Sequence, residues 1–170
     1  ISMNGFGVSQ YYSPYTKRTF PYNVYAGSQD QGFQRSIAPG EGVFDFVQSI
    51  SGDYGHLSSG DEGETIWSNY PGFTLYYANP VTGGGSLSLD FPGSGHLWLA
   101  PIIEDPYNPN QAYLAGGGLS GGNHLFHLTA GNSSISYIEE PYSFNSTISA
   151  MGYSSVDPNN RYVLTTTGNF

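Results

Sequence analysis

Hydrophobic and polar positions alternate along this chain over short stretches, as in Ser86-Leu87-Ser88-Leu89-Asp90. A period of two puts successive side chains on opposite faces of an extended backbone, so each stretch reads as a half-buried β-strand. The pattern predicts strands over residues 23–28, 43–50, 65–69, 74–78, 86–91, 97–103, 111–115, 124–129, 134–138, 147–153 and 161–166. Gly or Pro interrupts nearly every window long enough for a helix, and no helix is expected. Residues 1–21 give no readable pattern. They stand as an undefined N-terminal segment ahead of one β unit over residues 22–170.

A turn pattern, Ser-x-Asp-x-Gly, punctuates the alternation three times: Ser28 to Gly32, Ser51 to Gly55 and Ser59 to Gly63. An Asp two residues before a Gly accepts hydrogen bonds from N–H groups just ahead, and the Gly takes the positive φ of a tight reversal. The spacing is uneven, 23 residues from Asp30 to Asp53 and 8 from Asp53 to Asp61, which is not one turn per repeating unit. A longer repeat is more regular. Residues 104–114 and 156–164 both carry Asp-Pro, an Asn-rich turn and a Tyr-bearing strand, with Asp105 and Asp157 52 residues apart. That spacing lies near the ~40–50 residues of a four-stranded propeller blade. The expected fold is all-β: antiparallel four-stranded blades of a β-propeller, about three of them. A closed ring takes about four to eight blades, so the ring is expected to be incomplete, with the remainder of a propeller or a larger assembly as partner.

Composition narrows the function. Aromatic residues make up 16% of the chain, which argues against disorder, because large rings bury surface. The net charge of −9 reflects scarce bases: Lys17, Arg18, Arg35 and Arg161 are the only Lys and Arg residues. Such a surface repels phosphate, which makes nucleic acid a poor candidate partner and disfavours anionic membranes and anionic glycans. No apolar run approaches the ~18 residues of a membrane span, so no membrane insertion is expected. The absence of cysteine removes disulfides and thiolate metal sites. An acidic, Cys-free chain rich in Tyr, Gly, Ser and Asn suits an exported protein, secreted or on a cell surface.

The third turn continues as Ser59-Gly60-Asp61-Glu62-Gly63-Glu64-Thr65-Ile66-Trp67. It resembles the Ser-x-Asp-x-Gly-x-Thr-Trp hallmark of the Asp-box β-propellers, with one extra residue before the tryptophan. That group includes sortilin-type receptors, sialidases and xyloglucan hydrolases. Residues 24–32, 51–55, 101–118 and 148–168 resemble further segments of its secreted members, in the same order. The resemblance implies that Asp61 stabilises a hairpin between outer strands, with Ser59, Gly63 and Thr65 completing the box, and that Trp67 packs between sheets.

The residues left for function are few. Asp30 and Asp53, with Gln29 and Arg35 nearby in sequence, form a candidate ligand-binding group. Two carboxylates converging near a propeller axis would suit a sugar, or a cation such as Ca²⁺ with its preference for oxygen; the simpler reading is that each Asp caps its own turn. No other cofactor is expected. The resemblance to the xyloglucan hydrolases offers an alternative, Asp30 as a catalytic acid or base, although inverting hydrolysis needs a second carboxyl ~6.5–9.5 Å away. The leading expectation is a non-catalytic binding or scaffolding segment with a protein or neutral glycan as partner. His124 and His127 are three apart, which on a strand turns them to opposite faces and argues against a metal pair. Asn132 and Asn145 begin N-glycosylation sequons.

Overall fold

In a computed structural model of the chain, residues 10–37, 45–117 and 122–168 are described. They form strands, turns and connections and no helix. The first sheet runs β1 (Tyr11–Thr16), β2 (Val24–Ser28), β3 (Gly32–Ile37), β4 (Asp45–Ile50) in that spatial order. The second runs β5 (Leu57–Ser58), β6 (Thr65–Tyr70), β7 (Phe73–Ala78), β8 (Ser86–Asp90). The third holds β9 (Ile102–Asp105), β10 (Asn108–Gly117), β11 (His124–Ala130) and β12 (Ile135–Glu139), stacked in sequence order. The fourth pairs β13 (Ile148–Tyr153) with β14 (Arg161–Thr165). Every pairing is antiparallel between sequence neighbours.

The first strands of successive sheets touch in series, β1 to β5, β5 to β9 and β9 to β13. Side chains tie the first three together: the Leu57 N–H donates to Ser13 Oγ, and the Glu104 N–H to Ser58 Oγ. These strands form the inner side of the stack, and β4, β8 and β12, the last strands of the four-stranded sheets, lie outside. Strict alternation of direction then fixes the ends. The β2–β3 turn and the link from β4 to β5 fall at one end, and the first-to-second-strand turns at the other.

Two apolar layers hold the sheets together. Tyr25, Phe33, Tyr54, Ile66, Leu75 and Tyr77 pack between the first and second. Trp67, Ile102, Ala112, Leu114, Phe126 and Leu128 pack between the second and third. Ile66 and Trp67 are both fully buried because alternation sends one to each layer. Close approach sets one position. A Cβ on Gly27 would stand 2.4 Å from the Tyr54 carbonyl oxygen, so β2 meets the β4–β5 link only through a residue without a side chain.

The strand pattern needs correction at several places: the short β5 (Leu57–Ser58) is not among the expected strands, and the strand expected over 111–115 begins at Asn108 and runs to Gly117. Residues 11–16, within the segment that gave no pattern, form β1, and Gly32–Ile37 forms β3. The run 97–103 is extended only from Ile102 onward. Pro101 lacks an N–H, and residues 97–101 instead form the link from the second sheet, where Leu99 contacts Gly55 and Trp98 meets the Tyr12 ring.

Candidate functional site

The β2–β3 turn brings Asp30 and Asp53 together. Asp30 takes a left-handed φ of 60° and Gly32 one of 73°, and the Ser28 hydroxyl donates to the Gly32 carbonyl at 3.0 Å. Asp53, on the β4–β5 link, reaches across and accepts from the Asp30 backbone N–H. Asp53 therefore caps the Asp30 turn rather than its own, where the positive φ falls on Gly52 instead of Gly55. Gln29 and Asp30 are exposed. Arg35 sits three residues up β3 from Gly32, about 10 Å away at strand rise, opposite Tyr25 and Val47. It does not join the pair. Among the described residues no group of three or more His, Asp or Glu side chains is placed to hold a metal ion. Two carboxylates alone supply fewer oxygens than the six to eight of Ca²⁺, so backbone carbonyls and water would have to supply the rest.

At the opposite end the Asp61 turn joins β5 to β6. Its hydrogen bonds are closed: the Ser59 hydroxyl and the Thr65 N–H each donate to Asp61 Oδ1 at 2.9 Å, and the Gly63 N–H donates to Ser59 Oγ at 2.7 Å. Gly63 has φ 94°. The Trp67 indole N–H donates to the Pro109 carbonyl of the third sheet at 3.0 Å. The hairpin is thus the inner pair of its sheet, where the resemblance implied outer strands. Asp105 and Asp157 occupy the same first-to-second-strand connection in the third and fourth sheets. Asp105 Oδ1 accepts from the Tyr107 and Asn108 N–H groups, and Asp157 Oδ1 from that of Asn159.

Beside this turn lies a residue that the motifs did not flag. Glu104, on β9, is 3% exposed, and neither carboxyl oxygen has a hydrogen-bond partner. Burial pushes its pKa up to about 9; the nearby Gly60 N–H partly offsets this without making a bond of standard geometry, and the Asp61 and Asp105 charges push it further up. Glu104 is therefore a neutral acid at pH 7. The signal was present in the sequence, since alternation from Ile102 puts Glu104 on the same inward face. Burial also raises the Tyr15 hydroxyl, which donates to the Ser59 carbonyl and lines a cleft of about 500 Å³ with Arg18, Gly60 and Glu62.

The third and fourth sheets meet through rings and one cation. Tyr113 and His127 stack at 4.6 Å and 6°, and the Arg161 guanidinium lies 4.2 Å over the Tyr113 ring. The Tyr153 hydroxyl is buried nearby without a partner, and burial raises its pKa. Toward the outside the layer opens into a cleft of about 340 Å³, lined by Leu125, Glu140, Tyr142, Phe144, Tyr162 and Val163. Of these, Tyr142 and Tyr162 are more than half exposed. Asn132 and Asn145 are exposed in the connections on either side of β12.

No protein-family model and no curated protein matches the chain. Among solved structures it is similar to the β-propeller domain of Myceliophteria thermophila Cps50 (Swd1), with TM-score 0.56 and 11% identity over 87% of this chain. The match takes in 51% of that chain, so the present one spans about half the length of its structural relative. The fold is a β-propeller's: antiparallel blades stacked on one another that, among the described residues, comprise three of four strands and one of two and do not close into a ring.

Proposed function

We propose that this chain is a non-catalytic binding or scaffolding segment of an exported Asp-box-type propeller, and that its partner is a protein or a neutral glycan. One observation carries the reading: the rings of Tyr142, Phe144 and Tyr162 line the cleft between the third and fourth blades, and Tyr142 and Tyr162 are more than half exposed. A patch of exposed rings and aliphatic side chains marks an interaction surface more than a reaction centre. Aromatic faces serve protein partners and the C–H faces of neutral sugars alike. The carboxylates raised as candidates point the same way. Asp53 and Asp61 are held by backbone N–H groups, and neither Asp30 nor Asp53 lines the clefts described above.

The experiment is incubation of the chain with xyloglucan and other neutral polysaccharides, measuring new reducing ends. None are expected from the chain or from its Asp30→Asn variant. Reducing ends that appear with the chain and vanish with Asp30→Asn, at unchanged circular dichroism, would overturn the non-catalytic reading in favour of a hydrolase.

A further inference from the structure

A small cleft of about 110 Å³ opens between the third and fourth blades, at the end that carries the first-to-second-strand turns. Asp105 and Tyr107 of the β9–β10 turn line it, with Tyr113 of β10, Tyr153 of β13, Asn159 and Arg161. Its walls come from first and second strands and the turns between them, and no third or fourth strand takes part. The cleft of about 500 Å³ between the first and second blades has the same setting, and both of those blades are four-stranded. A gap at this end of a layer thus does not depend on how many strands the outer half of a blade holds.

The two clefts differ in one polar atom. In the larger, the Tyr15 hydroxyl donates to the Ser59 carbonyl of the neighbouring blade at 3.3 Å. In the smaller, the Tyr153 hydroxyl is buried and has no partner. Buried polar atoms are normally paired, so an orphan on a residue that walls a cleft marks a place for a ligand atom or water. The other lining groups narrow the ligand. One carboxylate and one guanidinium line the same space and offset each other, which favours neither an anion nor a cation. Both are held in place: Asp105 Oδ1 accepts from the Tyr107 and Asn108 N–H groups, and the Arg161 guanidinium lies over the Tyr113 ring. The Tyr107 ring is 65% exposed and offers a face to C–H groups. A space of about 110 Å³ equals roughly four waters at ~30 Å³ each, which suits the diol edge of one sugar ring.

We propose that this cleft is a subsite for one sugar residue of a neutral glycan. Adjacent hydroxyls of the sugar bond the Tyr153 hydroxyl and the Asp105 carboxylate, while its C–H face lies against the Tyr107 ring. A sugar hydroxyl both donates and accepts, and the Tyr153 O–H lacks a partner on each count. This inference rests on the neutral-glycan side of the binding reading above. It places the sugar apart from the outward cleft, which Arg161 also borders.

The test titrates methyl glycosides of glucose, galactose, mannose and xylose into the whole chain, with glycerol as control, by saturation-transfer difference NMR. At least one glycoside is expected to bind saturably and more tightly than glycerol. Its affinity should fall about fivefold in Tyr153→Phe, the loss of one hydrogen bond, with the unfolding midpoint unlowered. The unlowered midpoint separates a hydroxyl that serves a ligand from one that holds the fold. Should Tyr153→Phe not fold, Tyr107→Ala, at an exposed position, decides on the same fall in affinity. Absence of saturable glycoside binding by the folded chain overturns the inference. Unchanged affinity in the deciding variant also overturns it, seating the sugar elsewhere. Glycerol binding as tightly as every glycoside overturns it too, making the cleft a pocket for solvent. Binding is read here without cleavage, and only the reducing-end measurement tests the non-catalytic reading, so the two failures stay distinguishable.

Discussion

Glu104 shows how a single residue couples this fold to pH. In the unfolded chain its carboxyl titrates at the ordinary value of 4.5; folded, burial holds it at about 9. The folded state thus retains a proton that the unfolded state has lost across that interval. This proton linkage is fully stabilising below pH 4.5 and is lost as pH rises toward 9, at up to about 1.4 kcal/mol per pH unit for one proton. Denaturant unfolding between pH 5 and 9 should therefore give falling stability, and Glu104→Gln, which stays neutral, should flatten that slope. An unchanged slope in the variant would mean that the carboxyl ionises without cost. The Asp61 charge adds to the shift, so Asp61→Asn, which removes the charge but keeps an Oδ1 acceptor for the Thr65 N–H, should move the Glu104 midpoint downward.

At the scale of elements, β6 carries the packing on both of its faces. Trp67 is fully buried between the second and third blades, in ring contact with Tyr76 and bonded to the Pro109 carbonyl. Trp67→Ala should cost roughly 3–5 kcal/mol, read as a lowered unfolding midpoint at unchanged m-value. Elements of this kind were legible in the sequence, because β6, β7, β8 and β13 keep their alternation or their apolar run. β1 was not, since Pro14 and the Tyr11-Tyr12 pair hide the period; Pro is tolerated there because β1 is an edge strand. β3 was hidden because Gln34 and Ser36 are polar yet buried, held by partners distant in sequence. The candidate site divides the same way. The turn residues around Asp30, Asp53 and Asp61 could be picked out from local motifs, but that Asp53 serves the Asp30 turn depends on which link passes beneath β2. The Arg161, Tyr113 and His127 stack depends on the register of two blades, which no local pattern encodes.

Over the whole molecule, the blades stack so that each touches chiefly its neighbours, and stability should therefore vary along the stack rather than be shared evenly. The second and third blades are covered on both faces, and the layers on either side of the second are apolar and closed. The layer between the third and fourth is different. It holds a guanidinium over a ring, a buried Tyr153 hydroxyl without a partner and an open cleft, and among the described residues the fourth blade has two strands to anchor it. A buried unpartnered hydroxyl costs about 1–3 kcal/mol, which subtracts from an interface already lacking the large apolar pair found in the other two. Native-state hydrogen exchange should accordingly rank the amides of β13 and β14 as opening first, at a free energy below that of global unfolding, with β6 and β10 protected most. Tyr153→Phe, which removes the unpartnered group and keeps the ring, should raise the opening free energy of β13 and β14 and leave β6 unmoved. If instead all four strands exchange with one free energy and one denaturant dependence, the blades unfold as a single cooperative unit and the fourth is no weaker than the rest.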